Sequence, residues 1–582
     1  MIYNRRVLIH PAAAALLLAA LPARAQKAPR VQARIEEAFS LGQLGLVDVP
    51  EGEIETEDAL RARLTAVERL SASASDSEAP VRRAAVEALG KLGGPDTATV
   101  LQKATSDADA AVRGEAALAL FRQRYLKHVP DYSTDTVRAL IRLASDPDAE
   151  VRWRAAYAFS RWPEPRALAA ASALQSDADS RARLFALRAL EKLAAAPDAA
   201  RLADPDVYVR AEAVAALSAA KAWDRIPDAV FADPSPHVRA AAADAAADSG
   251  DAARFGPLLT KLEAGPGTLA PGRALLALAK LRVAGAPEIL AKARRDPRWW
   301  IRARAAEAAA FLPDAEPALK AGLADPDPRV SSQALETLAA STAPAVTELL
   351  DKVLRDRRAA PELRGAALDA AGERKDPALV GALLAATKLV DVSGAGELRG
   401  DVRDALSATA RAHPETAAKI NAALARFPAF TDRPRVFRPL KTAPAVRVET
   451  ERGAFTIQLA SAPDAANHVA AFVESVRHRF YDGLTWHRVV TAFVVQGGDP
   501  RGSGIGDAGW RLADEPSRIS FERGTVGMPK AGKDTGGCQL FVALAPAPHL
   551  DGRYTAFGRV VSGLDVLDRL EPGDKIVSMR LQ

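Results

Sequence analysis

Trp486-His487-Arg488-Val489-Val490-Thr491-Ala492-Phe493-Val494-Val495-Gln496-Gly497-Gly498-Asp499-Pro500 sets one arginine, one large aromatic and one glutamine at fixed spacing inside an apolar, strand-like run. Two further blocks follow it. Gly536-Gly537-Cys538-Gln539-Leu540-Phe541 adds a second glutamine and a second aromatic. His549-Leu550-Asp551-Gly552-Arg553-Tyr554-Thr555-Ala556-Phe557-Gly558-Arg559-Val560 adds a third ordered segment. A lone arginine on a strand is ordinarily a surface residue. Here Phe at +5, Gln at +8 and the two later blocks argue for an arginine at a pocket.

Around these blocks the hydrophobic period is strand-like. Val446, Val448, Phe455, Ile457 and Leu459 alternate with polar neighbours, and Glu451-Arg452-Gly453 supplies a hairpin turn. A helix is expected over 465–477. Short strands are expected at Trp486–Val490, Phe493–Gln496, Thr525–Met528, Gln539–Ala543 and Thr555–Val561. A second helix over Leu564–Leu570 and a last strand over Ile576–Leu581 complete the set. Many short strands with two helices predict a closed antiparallel barrel.

The remainder of the 582 residues is too long for one core. Between about Leu60 and Phe427 an acidic or proline turn, then Val-Arg, then alanine-rich helix keeps returning, as in Asp146-Pro147-Asp148-Ala149-Glu150-Val151-Arg152. Arginines 82, 113, 152, 183, 210 and 239 lie 31, 39, 31, 27 and 29 residues apart. The next, Arg302, is about two periods on, with Arg273 as an intermediate. Arg364 and Arg403 mark the weakest copies, and an insertion falls around Gln123–Ser133. A period near 30 with helical patterning predicts a solenoid of helix pairs, about ten or eleven of them. Asp caps each helix and Pro is tolerated in its first turn. Aromatics are only 5% of residues, which suits close helix packing through alanine and leucine. The repeated arginines read either as a basic stripe for nucleic acid or as a ladder pairing with acidic turns of adjacent repeats. The recurrence of Asp with Arg favours the ladder, and no nucleic-acid partner is expected at a net charge of +5. The adjacent Trp299 and Trp300 are a candidate exposed surface, since neighbouring helical positions point in different directions.

The three C-terminal blocks resemble cyclophilins, the peptidyl-prolyl isomerase family, from about Ala445 to Gln582. The N-terminal phrase resembles HEAT repeats of the short bacterial type. The resemblances imply a multidomain chain: an all-α HEAT-like solenoid over 26–427, a Pro-rich linker over 428–444, and a cyclophilin-like barrel over 445–582. The implied reaction is rotation about an X-Pro peptide bond, whose barrier is about 18–20 kcal/mol because of amide resonance. It needs no nucleophile, metal or cofactor. By position, Arg488 matches the family's catalytic arginine. Phe493, Val494, Phe541 and Leu550 match the proline pocket wall. Gln496 matches the glutamine that orients the arginine and the substrate carbonyl, and Gln539 flanks the same groove. Lys530 falls where backbone groups hold the peptide.

The chain departs from the family at four places. Val494 replaces a methionine, and Tyr554 stands where many members have histidine. Pro529 replaces a small residue and would stiffen or obstruct the groove. His549 stands where some members have a tryptophan that contacts cyclosporin, so weak cyclosporin binding is expected.

Arg5 and Arg6, an apolar run from Val7 to Leu21, and Ala23-Arg24-Ala25 before Gln26 form an export signal over 1–25. The alternative is an uncleaved anchor, but the run is short and broken by His10 and Pro11. A periplasmic or secreted location is expected, with no stable membrane span. Gly504-Ile505-Gly506-Asp507-Ala508-Gly509 matches a dinucleotide-binding pattern, yet no helix follows it, so nucleotide binding is rejected. One cysteine and scattered histidines offer no metal cluster. Cys538 reads as a buried thiol, and His487 should face away from Arg488 as a structural residue. Two functions fit. One is an exported isomerase acting on proline-containing polypeptides, with the solenoid recruiting clients or a partner protein. The other is an adaptor whose solenoid does the binding while the C-terminal unit only holds proline segments.

Overall fold

A computed structural model describes residues 31–46, 57–341, 343–391, 395–427 and 433–582. The expected export signal lies outside the described residues. Among the described residues no helix is long and apolar enough to cross a membrane. The chain divides into two compact units. One takes residues up to Ile226 with Pro516–Glu522 and Ala545–Tyr554, and the other takes Pro227–Glu515, Arg523–Leu544 and Thr555–Gln582.

In the first unit the helices that carry the repeated arginines stack in sequence: Ala79–Leu92 on Ala110–Tyr125, then Ala149–Arg161, Ser180–Lys192 and Val207–Ala219. Shorter helices between them form the other layer of each repeat. Alanine makes this stack possible, because Ala85, Ala116, Ala119, Ala155 and Ala156 are fully buried at the contacts. At the tightest crossing, a Cβ on Gly90 would lie 2.7 Å from Ala119 Cα, so only glycine fits.

The arginine ladder is present, and each turn divides its work between two acids. Arg82 donates through Nε and Nη2 to Asp107, both at 2.8 Å, while its Nη1 donates to the carbonyls of Asp76 and Ser77. Asp107 thus receives the arginine of the preceding repeat, and Asp109 caps the next helix by accepting from the Ala111 and Val112 amides. The pattern recurs in Arg113–Asp146, Arg152–Asp177 and Arg183–Asp204, with Asp148, Asp179 and Asp206 as the caps. Burial pushes Asp107 up. The Arg82 hydrogen bond and the Asp109 amide outweigh it and hold the carboxyl below the usual range. Asp146 and Asp177 are lowered in the same way against the same burial.

The second unit has its own stack through Pro236–Ser249, Leu269–Lys280, Trp299–Ala308, Pro328–Ala339, Pro361–Arg374 and Leu398–Ala412. Arg302 forms a rung with Asp325 at 2.8 Å. Arg273 does not, since it lies 3.8 Å from Asp244 on a half-exposed face. The weakest copies keep the arginine but change its acceptors: Arg364 donates to the carbonyls of Asp356 and Leu389. Trp299 and Trp300 are both half-buried, contrary to the expected exposure of one. Arg329 stacks 4.0 Å over Trp299, and Arg304 lies 4.7 Å over Trp300.

The same unit holds an eight-stranded antiparallel sheet: β1 (Ala445–Thr450), β2 (Gly453–Leu459), β3 (Arg488–Val490), β4 (Val494–Gly497), β5 (Thr525–Gly527), β6 (Leu540–Ala543), β7 (Ala556–Ser562) and β8 (Ile576–Leu581). Its order is β3-β4-β6-β5-β7-β2-β1-β8. The sheet curls without full closure. The edges β3 and β8 form no ladder; they meet through an isolated bridge of Thr485 and Lys575 and flanking backbone bonds of Gly483 and Leu484 with Ile576, so the closed barrel expected from sequence is an incomplete one. Helix Ala466–Arg477 covers the curl, and Phe472 packs on Tyr481 and Phe557. The second helix is one turn, Leu564–Leu567, shorter than expected, because the chain beyond it tightens to i→i+3 bonds, from the Arg569 amide to Val566 and from the Leu570 amide to Leu567. Residues 433–444 run without regular structure and lie on the sheet domain. Asn467 bonds the backbone of Arg435 and Phe437, and Phe437 meets Trp510 at 5.2 Å.

Candidate active site

The spacing of eight between Arg488 and Gln496 is a register effect. The strands β3 and β4 form a tight hairpin in which Arg488 pairs with Gln496, and across the next strand Gln496 pairs with Phe541. In an antiparallel sheet directly opposed residues share a face. Arg488, Gln496 and Phe541 therefore form one row across three strands. Val494, two residues before Gln496, lies on that face beside Ala543. Ala492 takes the left-handed conformation that closes the turn, and the Phe493 carbonyl accepts from the Leu544 amide.

A chain of side-chain amides holds the row. Arg488 Nη1 donates to Gln496 Oε1 at 3.3 Å, and Gln496 Nε2 donates to Gln539 Oε1 at 2.9 Å. Gln539 is buried and donates from Nε2 to the carbonyls of Gly504 and Gly506, at 2.8 and 2.9 Å. Arg488 is exposed and Phe493 half-buried, whereas Val494 and Phe541 are buried. The site thus presents a guanidinium to solvent above an apolar floor. Its orientation is set from below by neutral amides.

Asp499, absent from the candidates read from sequence, holds the loop beside the row. Its carboxylate is 1% exposed and accepts from the amides of Arg501, Ser503, Gly504 and Gly506. A Cβ on Gly506 would fall 1.8 Å from Asp499 Oδ1. The rejected glycine pattern is therefore a nest around a carboxylate. The signal for it was the buried-looking Asp499 in a run of glycines. His487 lies beneath, with neither ring nitrogen hydrogen-bonded. Burial pulls it down to about 4, with Asp499 opposing and Arg488 and Arg329 assisting. Cys538 is buried, and burial pushes its thiol up.

Of the other candidates, Pro529 and Lys530 follow β5 in the same unit, both half-buried. Lys530 Nζ pairs with Asp514 at 2.5 Å. His549, Leu550 and Tyr554 belong to the first unit. There the turn Pro548–Leu550 sets His549 Nδ1 2.8 Å from Tyr157 Oη, and Tyr125 faces the His549 ring edge-on at 6.0 Å. Burial first, then Arg161, holds His549 well below its ordinary range. Leu550 is buried and Tyr554 half-buried.

The row thus sets an exposed arginine, steered by amides, beside an apolar wall. Residues 445–580 match the family model of cyclophilin type peptidyl-prolyl cis-trans isomerases, and residues 19–120 and 286–361 match HEAT repeats. A peptidyl-prolyl cis-trans isomerase of Synechococcus elongatus is 42% identical over 136 residues, 23% of this chain and 93% of that one. Peptidyl-prolyl cis-trans isomerase B of Bacillus subtilis is 43% identical over 123 residues, 21% of this chain and 86% of its own. A solved cyclophilin type isomerase of Cryptosporidium parvum matches at 24% identity and a TM-score of 0.23, over 24% of this chain and 98% of that one. The chain belongs to the cyclophilin-type peptidyl-prolyl cis-trans isomerases and carries HEAT repeats.

Proposed function

We propose that Arg488 is the catalytic group, that Gln496 orients it, and that Phe493, Val494 and Phe541 form the wall against which the proline ring sits. The observation that carries this reading is the single row Arg488–Gln496–Phe541 across three adjacent strands. An X-Pro amide resists rotation because the nitrogen lone pair is delocalised into the carbonyl. As the bond twists, that lone pair localises on nitrogen. A guanidinium aimed there gains a hydrogen bond that the planar amide does not offer. An interaction made chiefly in the twisted state lowers the barrier, whereas one made equally in both states only tightens binding. An apolar wall holds the ring and strips water from the amide. Gln539 keeps Gln496 from turning away. Pro529 and Lys530 border the path of the peptide. With a histidine at 549 engaged by Tyr157, cyclosporin binds weakly.

The HEAT repeats are the surface for polypeptide clients or a partner protein. Their ladder arginines are occupied by rung carboxylates, which supports a protein partner over nucleic acid. Tethering a sequence-tolerant catalyst to a client surface raises its effective concentration on that client. The leader pattern over 1–25 supports a periplasmic or secreted protein, which cell fractionation tests. The activity test is prolyl cis/trans exchange on an Ala-Pro peptide by NMR, with the full chain and its Arg488→Ala variant. Fast exchange that collapses in the variant is expected. Exchange no faster than that of the peptide alone, from folded protein, would leave the unit as a proline-segment binder.

A further inference from the structure

The loop after β4 has two faces. Toward the sheet, the carbonyls of Gly504 and Gly506 accept from Gln539, the base of the amide chain that ends on Arg488. The residue between them, Ile505, points the other way. Its side chain packs against the hydrophobic core of the last repeats, beside Gly365 and Leu398. Two residues on, Asp507 Oδ2 accepts from the Gly396 amide at 2.7 Å, just before helix Leu398–Ala412. Arg501 Nη1 approaches the buried Glu362 at 3.4 Å. The far side of the arginine hairpin is held too, because Thr491 Oγ1 meets His237 Nδ1 of helix Pro236–Ser249 at 3.0 Å.

We infer that the C-terminal HEAT repeats position the isomerase site, with Ile505 and Asp507 as positioning residues that act on Arg488 through the loop and the two glutamines. The inference rests on the isomerase reading and deepens it. Apart from Ile505 the stretch from Gly502 to Asp507 has only glycines, a serine and an aspartate, so it buries no other large apolar side chain. Its apolar anchor is therefore in the repeats. Loss of that anchor frees the Gly504 and Gly506 carbonyls, then Gln539, then the orientation of Arg488. A contiguous hydrogen-bonded path of this kind is a physical route for coupling when both ends respond to one perturbation.

The test uses the full chain with Ile505→Ser, Ile505→Val, Asp507→Ala and Asp507→Asn. Valine keeps an apolar anchor and asparagine keeps an acceptor for the Gly396 amide. Prolyl exchange on an Ala-Pro peptide and amide hydrogen exchange of the 500–507 segment are read on each. Ile505→Ser and Asp507→Ala are expected to lower kcat/KM about 3- to 10-fold through kcat. They also expose the amides of Ser503, Gly504 and Gly506, while exchange in the helices stays unchanged. The valine and asparagine variants restore both readouts. Loop amides that open without any change in rate would overturn the positioning role, and amides that stay protected would overturn the anchoring. A wild-type chain with no catalysis refutes the isomerase reading by itself, and loop protection in the same variants still decides whether the repeats hold the loop.

Discussion

Asp204→Ala should open the first unit locally, by an amount that follows from the rung it breaks. Asp204 takes Arg183 through two bonds of 2.8 Å, with side chains 10% and 1% exposed. It also accepts from the Asp206 amide at 3.0 Å and from Arg201 at 3.3 Å. Breaking a buried ion pair from one side costs about 3–5 kcal/mol, because the remaining charge stays desolvated. Arg183 keeps the carbonyls of Asp177 and Ala178 through Nη1, which places the loss near the lower end. The orphaned Asp206 amide adds about 1 kcal/mol. A total of about 3–4 kcal/mol falls on one interface of a nearest-neighbour array, so the damage stays local. Amides in helices Ser180–Lys192 and Val207–Ala219 should exchange roughly 150- to 900-fold faster under native conditions. Helices at the far end of the unit should not respond. Hydrogen exchange read by mass spectrometry reports each helix separately. Asp135→Ala, which removes an exposed pair with Arg138, is the control. Equal exchange in the Asp204 variant and the control would refute the claim that rungs hold the repeats together.

Acid should weaken the ladder. The carboxyls of Asp107, Asp146 and Asp177 sit below their unfolded range, so their stabilisation is complete above about pH 4 and is lost as pH falls through the folded values. Thermal unfolding between pH 5 and 2.5 checks this, and Asn at all three positions should flatten the profile. His237 and His487 act at higher pH. Burial lowers each to about 4, so the unfolded chain takes up protons first and stability falls as pH drops from about 6.5 toward 4. At pH 5 the loss is about 2 kcal/mol per histidine, and urea unfolding of wild type against His237→Gln measures it. A pH-independent difference between the two would reject the burial argument. Gln496→Glu should replace a neutral acceptor by a carboxylate, tighten its hold on Arg488 and set two acceptors against each other at Gln539. Isomerisation should fall about tenfold, and an unchanged rate would sink the view that a neutral amide is needed there.

Much of this molecule is written in local pattern. Alternation of Val446, Val448, Phe455 and Ile457 specifies the hairpin because one face is buried. The interval from Arg488 to Gln496 encodes a tight turn with both side chains on one face. The Asp-x-Asp turns announce the rungs, since cap and acceptor lie two residues apart. Features that depend on distant partners were not legible. Nothing near Gln539 says that its amide feeds the carbonyls of residues 504 and 506. Nothing near Ile505 says that its side chain leaves the sheet for the repeats. One of Trp299 and Trp300 was expected to be exposed because Arg329, a repeat away, was not known to cover Trp299. The sheet's incomplete closure is equally non-local, as it depends on Thr485 meeting Lys575.

The rungs have a further consequence. Arginine and aspartate are separated by 25, 33, 25, 21 and 23 residues in successive examples, yet their Nε–oxygen distances stay between 2.6 and 2.8 Å. The rung works as a gauge block: whatever chain is threaded between its ends, they meet at one separation. Extra residues, such as those after Tyr125, are expelled into a loop without loosening the rung beside them. Segments cut between equivalent points of two rungs therefore have interchangeable ends, so whole repeats can be duplicated or deleted at those points while each neighbour still finds its carboxylate.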